Sequence, residues 1–272
     1  MSGGMNTPFG LSPYQNLSGN GDITKIQTFK IDRACPTIYA GDPVTMAQFD
    51  TGTNAMVGTP GTIIPLSALS LAAAAEAPIL GYLLSVEYTS PNNIYTNKFP
   101  FWSAGSIPVD DITSITAKVN IDPHVILQVQ VSTSDDNFAH AVFLNSYINL
   151  NGTLRVAGAA AINQNPPYAN YATRNPRTGD NEIGTSAYYL DATSLFASSR
   201  STVAEEGFPL ANFKVLGIVE PQNLGLTGAT NAQLAKALND LVPGVDMPFV
   251  TVYGVINNHV YKSGTGGIVF AA

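Results

Sequence analysis

Two consecutive runs near the middle of the chain alternate apolar and polar side chains with a period of two, which marks both as strands. In residues 115–121, Ile115, Ala117, Val119 and Ile121 alternate with Thr116, Lys118 and Asn120. Residues 125–133 repeat the pattern, with Val125, Leu127, Val129 and Val131 set against Gln128, Gln130 and Ser132. Successive side chains of a strand point to opposite faces, so each run offers one apolar face to a core and one polar face to water. Between them, Asp122-Pro123 removes a ladder donor and starts a turn.

Residues 79–88, 141–150, 213–220 and 249–256 read as further strands between turn signals, and the last is almost continuously apolar, as a central strand is. One helix is expected. Thr230-Asn231-Ala232-Gln233 fits a capping box, Leu234, Leu238 and Leu241 share a helical face, and Pro243-Gly244 ends the run. Residues 66–77 are rich in Leu and Ala but bounded by Pro65 and Pro78, and their sequence does not decide between helix and coil. Residues 158–177, with Asn165-Pro166-Pro167-Tyr168 and Asn175-Pro176, lack apolar periodicity and read as a long loop.

Only 11% of the 272 residues are charged, against roughly 25% in an average soluble domain. Neutral groups must therefore wet the surface, and the 24 Gly and 18 Pro favour turns and β-structure over helix interiors. Hydrophobic residues at 45% are enough for a core. The net charge of -7, without any cluster of Lys and Arg, gives no footprint for nucleic acid. No stretch reaches the roughly 18 apolar residues of a membrane-spanning helix. Cys35 is the one cysteine, so neither an intrachain disulfide nor a cysteine-built zinc site is available. The first twenty residues show neither the basic region nor the apolar core of a secretory signal, which fits synthesis in a reducing cytoplasm.

Residues 1–22 are mostly Gly, Ser, Asn and Pro, with isolated Phe9, Leu11, Tyr14 and Leu17. Such a segment cannot bury a core of its own and reads either as an extended arm, mobile in isolation, or as a frayed terminus, ahead of a β-rich main domain over residues 23–272. No internal repeat or linker splits that domain.

The sequence offers no catalytic, cofactor or metal site. His124, His140 and His259 lie in no motif that pairs a base with a nucleophile, and no Gly-x-Ser-x-Gly elbow occurs. The adjacent carboxylates Asp110-Asp111, Asp135-Asp136 and Glu205-Glu206 would point to opposite faces of a strand and could not share a substrate. Asp135-Asp136-Asn137 and Gly179-Asp180-Asn181-Glu182 carry oxygen ligands but miss the EF-hand spacing. Gly264-Thr265-Gly266-Gly267 lacks the Walker lysine. Asn151-Gly152-Thr153 is formally a glycosylation sequon and reads as a hairpin turn.

Five short motifs follow one another in a recognisable order. They are residues 38–44 (Ile38 to Val44, containing Gly41-Asp42-Pro43), Ile79-Leu80-Gly81-Tyr82 leading into Tyr88-Thr89, Phe101-Trp102-Ser103-Ala104-Gly105, Asp122-Pro123 ahead of Leu127-Gln128-Val129-Gln130, and Val255-Ile256-Asn257-Asn258-His259. In this set the chain resembles a family of tailed-bacteriophage virion proteins assigned to head decoration, or capsid cement. The long loop after Gly158 and the helix near Asn231 depart from that family's pattern. The marked residues also have plain structural readings: a tight turn at Gly41-Asp42-Pro43, a core anchor at Trp102, a turn conformation at Gly105, and loops tied by His259.

The expectation is thus an all-β chain, a sandwich or barrel-like single domain with long loops, the arm and one short helix. The resemblance implies a non-enzymatic structural protein on the capsid exterior. Its partners would be the major capsid protein and further copies of itself, a trimer being one arrangement left open, with no cofactor, nucleic acid or membrane. Two other readings stand beside it, a phage tail or host-receptor-binding virion protein and a carbohydrate-active β-fold enzyme. The scarcity of spaced acidic pairs weighs against the enzyme.

Overall fold

The computed structural model describes residues 10–17, 25–32, 35–70, 73–74, 77–89, 96–99, 101–102, 114–132, 148–156, 186, 188–191, 212–219 and 250–261. In chain order the strands are β1 (Ser12–Asn16), β2 (Ile26–Ile31), β3 (Ile38–Tyr39), β4 (Pro43–Met46), β5 (Gln48–Asp50), β6 (Ala55–Val57), β7 (Thr62–Pro65), β8 (Gly81–Thr89) and β9 (Thr96–Phe99). There follow β10 (Phe101–Trp102), β11 (Ser114–Asn120), β12 (Val125–Ser132), β13 (Asn151–Gly152), β14 (Leu154–Val156), β15 (Tyr188–Asp191), β16 (Phe213–Ile218) and β17 (Val250–Ile256). The protein is all-β, and its two large sheets are barrel-like.

In the first sheet β11 pairs with β2, β2 with β7, β7 with β4, β4 with β8, and β8 again with β11, so the strands close a ring. Closure pairs the five ring strands with one another, and the sixth strand of the sheet, β9, adds to β8 outside the ring. The ring is filled by Ile31, Ile38, Val44, Ile63, Leu80, Leu83, Val86, Ile115, Ala117 and Val119, together with Cys35 and Trp102. These include the inward positions read from the alternation in residues 115–121. Trp102 is the expected core anchor and meets Tyr88 edge-on at 6.2 Å.

The second sheet runs β13-β16-β17-β12-β15-β14, with β1 beside the first half of β12. Only Thr153 separates β13, which pairs with β16, from β14, which pairs with β15 on the far side, so this sheet also curls round on itself. The side-chain oxygen of Asn212 fastens that closure by accepting the Leu154 N–H at 2.8 Å. Val125, Leu127, Val129 and Val131 fill the interior with Leu154, Leu190, Phe213, Val215, Val252 and Ile256. Full burial of each such aliphatic side chain stabilises by roughly 1.5–3 kcal/mol. As its apolar run implies, β17 is central, between β16 and β12.

The two sheets share one body because β7 and β8 are buried on both faces. Ile63 and Leu83 face the first core, whereas Ile64 and Tyr82 face the second. The turn at Asp122-Pro123 is the seam, carrying the chain from β11 in one sheet to β12 in the other rather than closing a hairpin. Asp122 shapes it by accepting the His124 N–H at 3.0 Å, while Asn120 accepts the Asp122 N–H at 3.0 Å. Burial, opposed by the Asn120 amide bond and aided by the Asp122 charge, pushes the Tyr82 hydroxyl up to about 12. At the other end His259 forms a parallel bridge with Ile79, again joining the sheets.

Several expectations need correction. Gly10–Leu17 are not a free arm: β1 is a strand of the second sheet, and Leu11 is 2% exposed within its core. The segment cannot make a core alone, but one apolar side chain suffices to plug an existing one. Asn151-Gly152 is strand β13 rather than a hairpin turn. The turn lies just before it, where Asn149 is left-handed with φ of 70°. Residues 148–150 are accordingly a turn, not the end of a strand.

The undecided stretch 66–77 holds a 3-10 turn at Leu66–Ala68 and helical bonds from the Ala74 and Ala77 amides to the Ser70 and Ala73 carbonyls. The expected helix over 230–242 and loop over 158–177 lie outside the described residues.

Candidate interaction surface

The segment between β4 and β7 forms a separate two-stranded hairpin, β5–β6, in the register Gln48↔Val57, Phe49↔Met56 and Asp50↔Ala55. Its turn, Thr51-Gly52-Thr53-Asn54, places Asn54 at φ 53°, a left-handed conformation that asparagine tolerates better than most side chains. A lone two-stranded hairpin is marginal in water, so this one needs a tether.

Asp50 supplies it. The carboxylate is fully covered and accepts four hydrogen bonds, from the Ser70 N–H and hydroxyl at 2.7 Å each and from the Gly52 and Thr53 N–H at 2.8 and 3.3 Å. In turn the Ser70 hydroxyl accepts the Ala73 N–H at 3.3 Å, as a helix N-cap does. The Ser70 amide first, and its hydroxyl next, hold the Asp50 carboxyl down to about 2, from an ordinary 3.8. Burial opposes this shift only in part.

A carboxyl whose folded pKa is depressed adds stability above its unfolded value, and that contribution is lost as the pH falls through the folded one. Slow amide exchange at Gly52 and Ser70 should therefore persist from neutral pH down to about 3 and disappear near 2. Loss of protection already at pH 4 to 5 would contradict the tether.

Facing outward, Phe49 and Met56 lie directly opposite one another and remain 54% and 48% exposed. Directly opposed side chains on one face of a hairpin act as a unit. Asp50 is the one charged residue of the hairpin and its carboxylate is occupied, so the outward face carries an apolar pair below a polar but uncharged turn. At its foot lies a cleft of about 290 Å³ lined by Asp32, Cys35, Pro36, Val57, Gly58, Thr59, Ile64 and Ala68. Asp32 accepts the Thr59 N–H at 2.6 Å, fixing the cleft's rim.

The cleft holds a thiol, yet not a reactive one. Burial, then the charges of Asp32 and Asp42, push Cys35 far above the ordinary thiol range. Native protein should accordingly react with iodoacetamide at pH 8 on the order of a hundredfold more slowly than urea-unfolded protein. Equal rates would show the thiol to be accessible.

The two described histidines, His124 and His259, do not assemble a site. His124 is exposed on the seam turn, where its carbonyl accepts the Leu17 N–H at 3.0 Å. His259 is 2% exposed and its Nδ1 accepts the Tyr261 N–H at 3.1 Å, a structural use. Neither lines the cleft. His140, the three carboxylate pairs, the two acidic loop runs and Gly264–Gly267 lie outside the described residues.

Among the described residues no group of three or more His, Cys, Asp or Glu could hold a metal ion. The expected tight turn does form: Gly41 has φ of 88°, and the Asp42 carboxylate accepts the Tyr39 N–H at 2.9 Å. The hairpin is what sequence reading missed. Its signal was there in the turn-forming Asp50, Gly52 and Asn54 between short apolar flanks.

The chain matches no family model, no curated protein and no solved structure.

Proposed function

We propose that this chain is a non-enzymatic virion protein that binds the outer surface of a tailed-phage capsid as a homo-oligomer and stabilises the head. The ordered run of five motifs between Ile38 and His259 carries the reading. Two features agree with it. The surface is poor in charge, which suits close packing of many copies. The pinned β5–β6 hairpin presents an apolar pair of the kind that anchors an interface.

In this reading Phe49 and Met56 insert between capsid subunits. The buried interface they add must be broken before the shell can open, and a ligand that favours the intact shell stabilises it by linkage.

A protein census of purified virions tests the proposal. Decoration calls for copies in the hundreds, spread over the whole head, and heads lacking the protein should rupture at lower temperature or weaker osmotic shock. A few copies at one end of the particle would favour a tail or receptor-binding component instead.

A further inference from the structure

We infer that the outward face of the second sheet carries a binding platform for neutral saccharides, built on Tyr14 and Tyr253. Four strands contribute one residue each to a continuous outward row: Ser12 on β1 pairs with Gln128 on β12, Gln128 with Tyr253 on β17, and Tyr253 with Gly217 on β16. Paired residues share a face, so the row is contiguous across the sheet.

Gly217 has no side chain where the Tyr253 ring lies. A Cβ there would stand 2.3 Å from the Tyr253 hydroxyl oxygen, so the ring reaches across the neighbouring strand. Tyr14 stacks on it with ring centroids 5.2 Å apart and planes at 12°, and is itself 48% exposed. Beside the rings, the Gln128 Nε2 and Ser12 hydroxyl meet at 3.4 Å, and Thr251 follows next but one along β17.

The chemistry of this set chooses the ligand. Stacked tyrosines offer an apolar face with a polar rim, and the flanking groups are an amide and hydroxyls. A pyranose ring presents the complement, a flat C–H face edged by hydroxyls. None of Ser12, Tyr14, Gln128, Thr251, Tyr253 or Gly217 is charged, and the adjoining outward pair, Val255 with Lys214, brings a single cation. A nucleic-acid platform needs a basic groove along the stacking rings.

The purified protein, titrated with maltohexaose, cellohexaose and chitohexaose by calorimetry and NMR, tests this without any capsid, so the result is independent of the decoration reading. At least one oligosaccharide is expected to bind with Kd of about 1 mM or tighter. Tyr14→Ala should weaken it about tenfold and Tyr14→Phe by no more than about twofold. Should Tyr14→Ala loosen β1, Gln128→Ala keeps both rings and must still weaken the same sugar about fivefold. Binding of none of the three, unchanged affinity in Gln128→Ala, or preferential binding of oligo-dT overturns the inference.

Discussion

Replacing Leu11 by alanine is expected to lower the unfolding free energy by roughly 2–5 kcal/mol, and deleting residues 1–17 by more. Leu11 is 2% exposed and packs in the core of the second sheet although it lies only eleven residues into the chain. The chain on either side of it is pinned. The Gly10 N–H donates to the Tyr188 carbonyl at 3.2 Å, the Leu11 N–H to Gly41 at 2.8 Å, and the Leu17 N–H to His124 at 3.0 Å. The Asn16 amide adds a bond to Asp122 at 3.3 Å.

Removing the segment would open a void in the core and bare one side of β12. At about 2–4 °C per kcal/mol for a chain of this size, the melting midpoint of Leu11→Ala should fall by about 4–20 °C. A midpoint unmoved by the deletion would restore the free arm that composition suggested.

The largest single-residue effect is expected at Gly81, where β8 runs against β11. A Cβ on Gly81 would lie 1.9 Å from the Asn120 carbonyl oxygen and 2.9 Å from its carbon. Both are backbone atoms of the partner strand, so no side chain can swing aside. Gly81→Ala must part β8 from β11 at the point where the first ring closes, a mechanism that places the cost above about 4 kcal/mol. Soluble expression should drop sharply, and any folded fraction should unfold at low urea. Wild-type stability in this variant would mean that β8 and β11 lie farther apart at this point.

Strand existence was legible wherever burial was one-sided. Ile115, Ala117 and Val119, and Val125 to Val131, announce themselves because one face of each run meets a core and the other meets water. Partnership was not legible. Asp122-Pro123 carries the same turn chemistry whether it closes a hairpin or hands the chain to another sheet, and only the long-range pairings of β11 with β2 and β8, and of β12 with β17 and β1, decide between them.

The strand β7 was overlooked because Ile63 and Ile64 are both buried, one in each core, and leave no alternation to read. The arm misled for a different reason. Low average hydropathy hides a single plug such as Leu11, whose worth depends on a socket formed by residues from Ile64 to Ile256. The hairpin's turn was legible, but the exposure of its apolar pair was not, since that of Phe49 and Met56 follows from how Asp50 ties their hairpin to Ser70 and not from their own identity.

Co-sedimentation with purified, undecorated phage heads tests the central proposal most directly. The wild-type chain should bind saturably at a fixed ratio to capsid protein, and Phe49→Ser/Met56→Ser, whose altered side chains are about half exposed and whose fold should persist, should bind at least about tenfold more weakly. Wild-type protein that stays in the supernatant at every concentration, folded and soluble beside intact heads, would contradict it.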